Sequence, residues 1–173
     1  VGEILGEKQH GAVETFGYNL YMKMLNEEIL KLKGEAEEEL DEVDIELNFP
    51  RFLPDNYIEK NEKIKIYKRA LALKTFEELE DLHKELEDRF GRLKSEAKGF
   101  FEFLKIRIRA RELGIVSIKE DKEKRLLINF NEEKINVDKI IYLLANKKIS
   151  YLKFTQTIGF EGDIFEFFDL YSN

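Results

Sequence analysis

The stretch TFEELEDLHKELEDRFG, Thr75 to Gly91, reads as a helix with both ends closed. Phe76, Leu79, Leu82, Leu86 and Phe90 recur at steps of three and four, which places one apolar stripe against a core. Thr75 with Glu78 fits a capping box, in which each side chain serves an orphan amide of the first turn. Gly91 supplies the left-handed residue at which a helix stops. Off the stripe lie Glu77, Glu78, Glu80, Asp81, Glu85, Glu87 and Asp88, with Lys84 and Arg89 among them. Asp81, Glu85 and Asp88 project from one side, and Arg89 follows Glu85 by four, the favourable order for a helix ion pair. Such a face either stabilises its own helix or docks a basic partner.

The flanking sequence extends this helix into a series. Pro54 and Asp55 turn the chain, and a helix from about Glu59 to Leu73 follows, with Ile64, Tyr67 and Leu71 inward. After Gly91 a third helix begins near Ser95, an expected N-cap, and carries Ala97, Phe100, Phe101, Leu104 and Ile108 inward to Gly114. Short connections predict neighbouring antiparallel hairpins.

Upstream, Val13 to Lys33 keeps a helical rhythm through Val13, Phe16, Leu20, Met24, Ile29 and Leu32, and Gly34 ends it. From Glu35 to Glu46 there are eight acids and no base, the pattern of a solvated connector. Its second half alternates Val43, Ile45, Leu47 and Phe49 against Asp44, Glu46 and Asn48, a half-buried strand ended by Pro50.

Beyond Gly114 the period becomes two. Ile115–Lys119 and Leu126–Phe130 form an expected hairpin about the charged turn Glu120–Lys124. Val137–Asn146 returns to helical spacing through Ile140, Ile141 and Leu144; Tyr151–Phe154 and Thr157–Phe160 are short strands. Asp163–Tyr171 fits a short helix or a strand. The class is α+β, several long helices packed on a small, mainly antiparallel sheet.

Length and composition bound the function. The 173 residues suit one domain that buries its own core. No cysteine is present, so disulfides, thiolate metal sites and cysteine nucleophiles are excluded. No apolar run approaches a membrane span, which leads to the expectation of a soluble, cytoplasmic chain with no membrane partner. The 36 acids against 29 bases give −7, which disfavours a phosphate-binding surface over most of the molecule. The opening VGEILGEKQHG, without an initial methionine, reads as the middle of a longer protein.

No catalytic constellation is legible. GEKQHG has the glycine spacing of a phosphate-binding loop, but Ala12 and Val13 stand where the lysine and hydroxyl should be. His83 has Glu87 four residues on, whereas catalytic zinc takes three protein ligands and His10 is remote in sequence. No serine stands in a G-x-S-x-G frame. No catalytic residue, metal site or cofactor is therefore expected in this stretch. Lys105, Arg107, Arg109 and Arg111 make a basic helical band, read as a solvated face, with an acidic protein or nucleic acid as the alternative occupants.

Four blocks, LGEKQHGAVETFGYNLYMKML, FLPDNYIEKNEKIKIYKRAL, LHKELEDRFGRL and IRARELGI, together resemble the C-terminal part of the bacterial transcription-repair coupling factor family, Mfd. They cover most of residues 5–115 in the family's order. The resemblance implies a parent translocase that uses ATP and magnesium, displaces RNA polymerase stalled on damaged DNA and recruits UvrA. It implies that residues 13–173 are a regulatory domain, and that residues 1–12 end the motor's translocation motif, with Gln9 as that motif's glutamine. The regulatory domain would dock on the N-terminal UvrA-binding region of the same protein and inhibit it. The family positions for that contact fall on Glu85, Asp88 and Arg89, beside Asp81 on the same helix face. A second expectation, from a different class, is an accessory nucleic-acid contact through Gln9 and the Lys105–Arg111 band.

Overall fold

In the computed structural model, which describes residues 42–173, the chain forms five helices and a five-stranded mixed sheet, an α+β fold. The helices are α1 (Lys60–Leu71), α2 (Phe76–Phe90), α3 (Ser95–Leu113), α4 (Val137–Ala145) and α5 (Ile164–Ser172). The strands are β1 (Asp44–Glu46), β2 (Ile115–Glu120), β3 (Leu126–Phe130), β4 (Ser150–Leu152) and β5 (Thr157–Phe160). The described residues fall into two units, Pro50–Leu104 and residues 42–49 with Lys105–Asn173, and α3 begins in the first and ends in the second. The expected helix Val13–Lys33 and the glycine loop before it lie outside the described residues.

The first unit is helical. Helix α1 buries Lys63, Ile66, Tyr67, Ala70 and Leu71, one face at steps of three and four. Ile64, expected inward, is only half-buried. Tyr67 and Leu71 are buried as expected, and Lys63 rather than Ile64 takes the first place of the stripe, its stem buried while its ammonium meets Asp55. In α2 the buried residues are Leu79, Leu82 and Leu86; Phe76 is exposed and Phe90 half-buried. Helical side chains lean towards the N-terminus, so the aromatic ring at the first position of α2 points past the end of the core. Ala97, Phe100, Phe101 and Leu104 of α3 are buried as expected, and Phe103 with them. Ser95 is the first helical residue, where an N-cap was expected.

Gly99 lies inside α3, where glycine is normally unfavourable. A β-carbon there would stand 1.8 Å from the Pro50 carbonyl oxygen, so the missing side chain is what lets residues 50–52 lie on the helix. The Phe52 amide donates to the Glu96 carbonyl at 3.1 Å, and the Arg51 guanidinium lies 5.1 Å from the Phe103 ring centre. Nearby, the Leu53 amide donates to the Tyr67 hydroxyl at 2.8 Å, which satisfies two buried polar groups at once.

The second unit holds the sheet, in the order β1-β2-β3-β5-β4. β1 runs parallel to β2 and every other pair is antiparallel. Ile45, Ile118, Ile128, Ile158 and Tyr151 are successive partners, so four isoleucines and a tyrosine cross all five strands on one face. The isoleucines are buried, as the period-two alternation of their strands requires. Leu126, Phe130 and Phe160 extend this face, and Phe167 and Tyr171 of α5 pack on it, Tyr171 with its ring 4.8 Å from Phe130 and Phe167 5.5 Å from Phe160. The other face is polar, with Asn129 between Ser117 at 3.3 Å and Thr157 at 3.2 Å.

Several boundaries differ from those expected. The strand expected over Val43–Phe49 is paired only at Asp44–Glu46, against Ser117–Lys119 of β2. The fourth strand is Ser150–Leu152, and Phe154, placed in it by sequence, is fully exposed in the turn beyond. In α4 the inward pair is Ile140 and Leu143, while Ile141 is exposed. The ambiguous end of the chain is a helix, started by Asp163, whose carboxylate accepts from the Phe165 amide at 2.8 Å.

Two substitutions test this packing by urea denaturation. Gly99→Ala is expected to lower stability by roughly 1–3 kcal/mol, although alanine is the better helix former, since the new methyl meets backbone. Ile128→Ala at the centre of the isoleucine row is expected to cost roughly 2–5 kcal/mol.

Candidate functional site

Helix α2 is held at both ends by its own sequence. Thr75 is extended, and its hydroxyl accepts from the Glu78 amide at 3.1 Å while donating to the Glu78 carboxylate at 3.2 Å. The capping box is thus closed through the hydroxyl, where the sequence pattern predicts a return bond to the Thr75 amide. Glu77 and Glu78 in the first turn and Arg89 in the last complement the helix dipole. Gly91 closes the other end with φ 87°, its amide donating to the Glu87 carbonyl at 2.9 Å and its carbonyl accepting from the Tyr57 hydroxyl at 2.7 Å.

The outer face is acidic, as read from sequence, but its members divide. Glu85 accepts two hydrogen bonds from the Arg69 guanidinium of α1, at 2.6 and 2.7 Å. Arg89 reaches Glu85 at 3.3 Å and Glu62 of α1 at 3.0 Å. Glu62, Arg89, Glu85 and Arg69 therefore make one alternating chain of charges between two antiparallel helices. The Arg69 hydrogen bonds hold the Glu85 carboxyl well below its usual range, at about 2, and Arg89 lowers that of Glu62. Asp81 and Asp88 are exposed and have no ion-pair partner among the described residues, as do Glu77 and Glu80.

Sequence reasoning found the Glu85–Arg89 pair and missed Arg69 and Glu62. The available signal was the two-turn spacing of Glu62 and Arg69 on the neighbouring helix, which puts both on one side. His83 meets Glu87 at 2.7 Å, the contact its i, i+4 spacing predicts, and its ring lies 5.0 Å from Phe101. Among the described residues no three histidine or acidic side chains converge as a metal site would need. Gln9 and His10 lie outside the described residues.

The basic band expected as a solvated face of α3 divides, with Lys105 exposed and Arg107 buried. Arg107 is 3% exposed and 3.6 Å from the Glu42 carboxylate, and burial pushes its guanidinium down to about 10. Arg109 donates to Glu112 at 3.0 Å and to the Ser172 hydroxyl at 2.8 Å, and Arg111 is half-buried. The cause is the burial of α3 on most of its circumference, which takes Arg107 inside and leaves Lys105 on the exposed side. No helix among the described residues is long and apolar enough to cross a membrane.

A family model described as the TRCF domain matches residues 47–140. The chain is 39% identical over 147 residues to a protein of Borreliella burgdorferi named transcription-repair-coupling factor, with 83% of this chain and 13% of that protein covered. It is 36% identical over 172 residues to the protein of that name from Escherichia coli, with 91% and 15% covered. The chain thus spans about a seventh of the length of these relatives. A crystal structure of the C-terminal domain of a transcription-repair coupling factor shares the fold, with a TM-score of 0.61 at 19% identity over 75% of this chain and 87% of that one.

The charge chain between α1 and α2 predicts a pH dependence. Because Arg69 binds only the ionised carboxylate, the stabilisation from Glu85 is complete above about 4.5 and is lost as pH falls towards about 2. Arg69→Met is expected to cost about 1 kcal/mol or less at neutral pH, since the pair is partly solvated, and to flatten the acid limb of a stability profile between those values.

Proposed function

Since the chain belongs to the TRCF domain family of transcription-repair coupling factors, we propose that it is the regulatory module of a DNA translocase and docks, through the outer face of α2, on that protein's N-terminal UvrA-binding region. Docking masks that region until the motor engages stalled RNA polymerase, so the module inhibits UvrA recruitment in cis. ATP and magnesium belong to the parent's motor, DNA and RNA polymerase reach this module only through the parent, and the setting is cytoplasmic. The chain itself carries no catalysis in this reading.

The observation that carries the proposal is the division of labour on α2. Glu85 and Arg89 are held in fixed positions by Arg69 and Glu62, while Asp81 and Asp88 on the same side are left to solvent. A rigid, capped helix that presents unpaired carboxylates beside a pinned arginine is suited to a partner surface bearing arginines and an acid. The nucleic-acid reading is the weaker one, because Arg107 is buried and Arg109 is engaged by Glu112 and Ser172, which leaves Lys105 as the exposed member of the band.

The test is calorimetric titration of the chain with the separate N-terminal UvrA-binding region of its parent. Asp81→Lys with Asp88→Lys is expected to leave the circular dichroism and melting profile unchanged and to abolish binding. Charge reversal at Glu85 is a poorer test, as a lysine there faces both Arg69 and Arg89 and destabilises the helix pair. Unchanged affinity in the double variant rejects this face as the docking site.

A further inference from the structure

The most acidic helix of the chain has a counterpart of opposite sign in the second unit. From Lys139 to Phe160 the sequence contains four lysines, Lys139, Lys147, Lys148 and Lys153, and no acid, within a chain of net charge −7. The stretch includes β4, the strand at one end of the sheet order, which is paired only with β5. No hydrogen bond joins the other edge of β4 to the rest of the described chain. Tyr151 closes the isoleucine row yet is 49% exposed, and Phe154 in the following turn is fully exposed. Lys147, Lys148 and Lys153 are exposed within four residues of Tyr151 in the sequence. Lys139 and Lys148 also line a cleft of about 310 Å³ with Tyr142, Leu143, Asn146 and Asp169, so two of the cations converge from different elements.

A lysine beside an edge strand commonly serves to repel a second strand. Repulsion explains the lysines but leaves two exposed aromatic rings at the same edge without a role. An incoming strand that carries carboxylates reverses the sign of that effect, and its alternate apolar side chains cover the rings. We infer that the outer edge of β4, with Tyr151, Lys153 and Phe154, is a second docking site, which takes an acidic, extended peptide segment of a partner protein as an added strand. The backbone groups of the edge supply the pairing, the rings the apolar contact, and the lysines the selection for acid. Single-stranded nucleic acid also combines negative charge with stacking on aromatic rings. It makes no use of an open row of strand amides and carbonyls, which is why the peptide is the favoured occupant.

The experiment uses the whole 173-residue chain and a fluorescein-labelled synthetic peptide that alternates glutamate with valine. Anisotropy is expected to show binding that weakens as salt is raised, and hydrogen exchange is expected to slow on binding at the alternate amides of β4 that face its open edge. A peptide of the same charge with proline at alternate positions, which cannot pair as a strand, is expected to bind at least about tenfold more weakly. Lys148→Glu with Lys153→Glu is expected to weaken binding by about tenfold or more, and Phe154→Ser to weaken it without altering the melting profile, as that ring touches no core. Absence of binding at low salt, equal affinity for the proline peptide, unaltered exchange at β4, or capture of a single-stranded oligonucleotide in preference to the peptide each overturns the proposal.

Discussion

Helix α3 is apolar on nearly every side between Ala97 and Ala110, and a helix of that kind must be covered on nearly every side. Much of the rest follows from meeting this requirement. In the first unit Gly99 removes the one side chain that would keep residues 50–52 away, and Phe100 stacks edge-on against Tyr67 of α1 at 5.1 Å. In the second unit Ile106, Ile108 and Ala110 are buried and Arg107 goes in with them. A guanidinium so buried is costly unless a carboxylate answers it, and Glu42 stands 3.6 Å away. The acidic run before β1, solvated connector by composition, thus supplies a buried arginine with a carboxylate that is itself 45% exposed.

Charge has two separate uses on α2, and they obey different energetics. Between α1 and α2, Glu62, Arg89, Glu85 and Arg69 alternate in sign and share hydrogen bonds, so each fixes the geometry of the next. Exposed pairs of this sort contribute little to stability but restrict where the side chains point. Asp81 and Asp88 have no such tether among the described residues, so approach of a basic partner would cost them both desolvation and side-chain freedom. In the docking role proposed for α2, a face with one half pinned and the other half free favours specificity and rapid encounter over raw affinity.

The sheet shows how a one-sided pattern leaves unfinished ends. The isoleucine row is continuous from Ile45 to Ile158 and is covered along that length, while its last member, Tyr151, is not. At the opposite end of the strand order β1 carries Asp44 and Glu46, both 3.8 Å from Lys119 on β2, so one lysine answers two acids there and that edge stays acidic. The β4 edge has cations and rings instead. The two edges of one small sheet therefore differ in sign and in how far their charges are already satisfied.

The sequence by itself determined the elements whose cause is local. Thr75 and Gly91 close α2 because caps act over a single turn, and Leu79, Leu82 and Leu86 face inward because helical period and hydrophobicity agree there. The β2–β3 hairpin and the alternation of its strands were legible for the same reason. Tertiary structure decided what depends on a neighbour. Lys63 rather than Ile64 fills the first inward place of α1, with its ammonium on Asp55; the basic band of α3 divides, with Arg107 buried near Glu42 and Lys105 exposed; and β1 is paired only over Asp44–Glu46. The candidate site divides in the same way. Its acidic composition and capped helix are properties of consecutive residues, whereas the sorting of its charges into tethered and free required Arg69 and Glu62 from another helix, whose spacing puts both on one side of α1 without saying which helix that side meets.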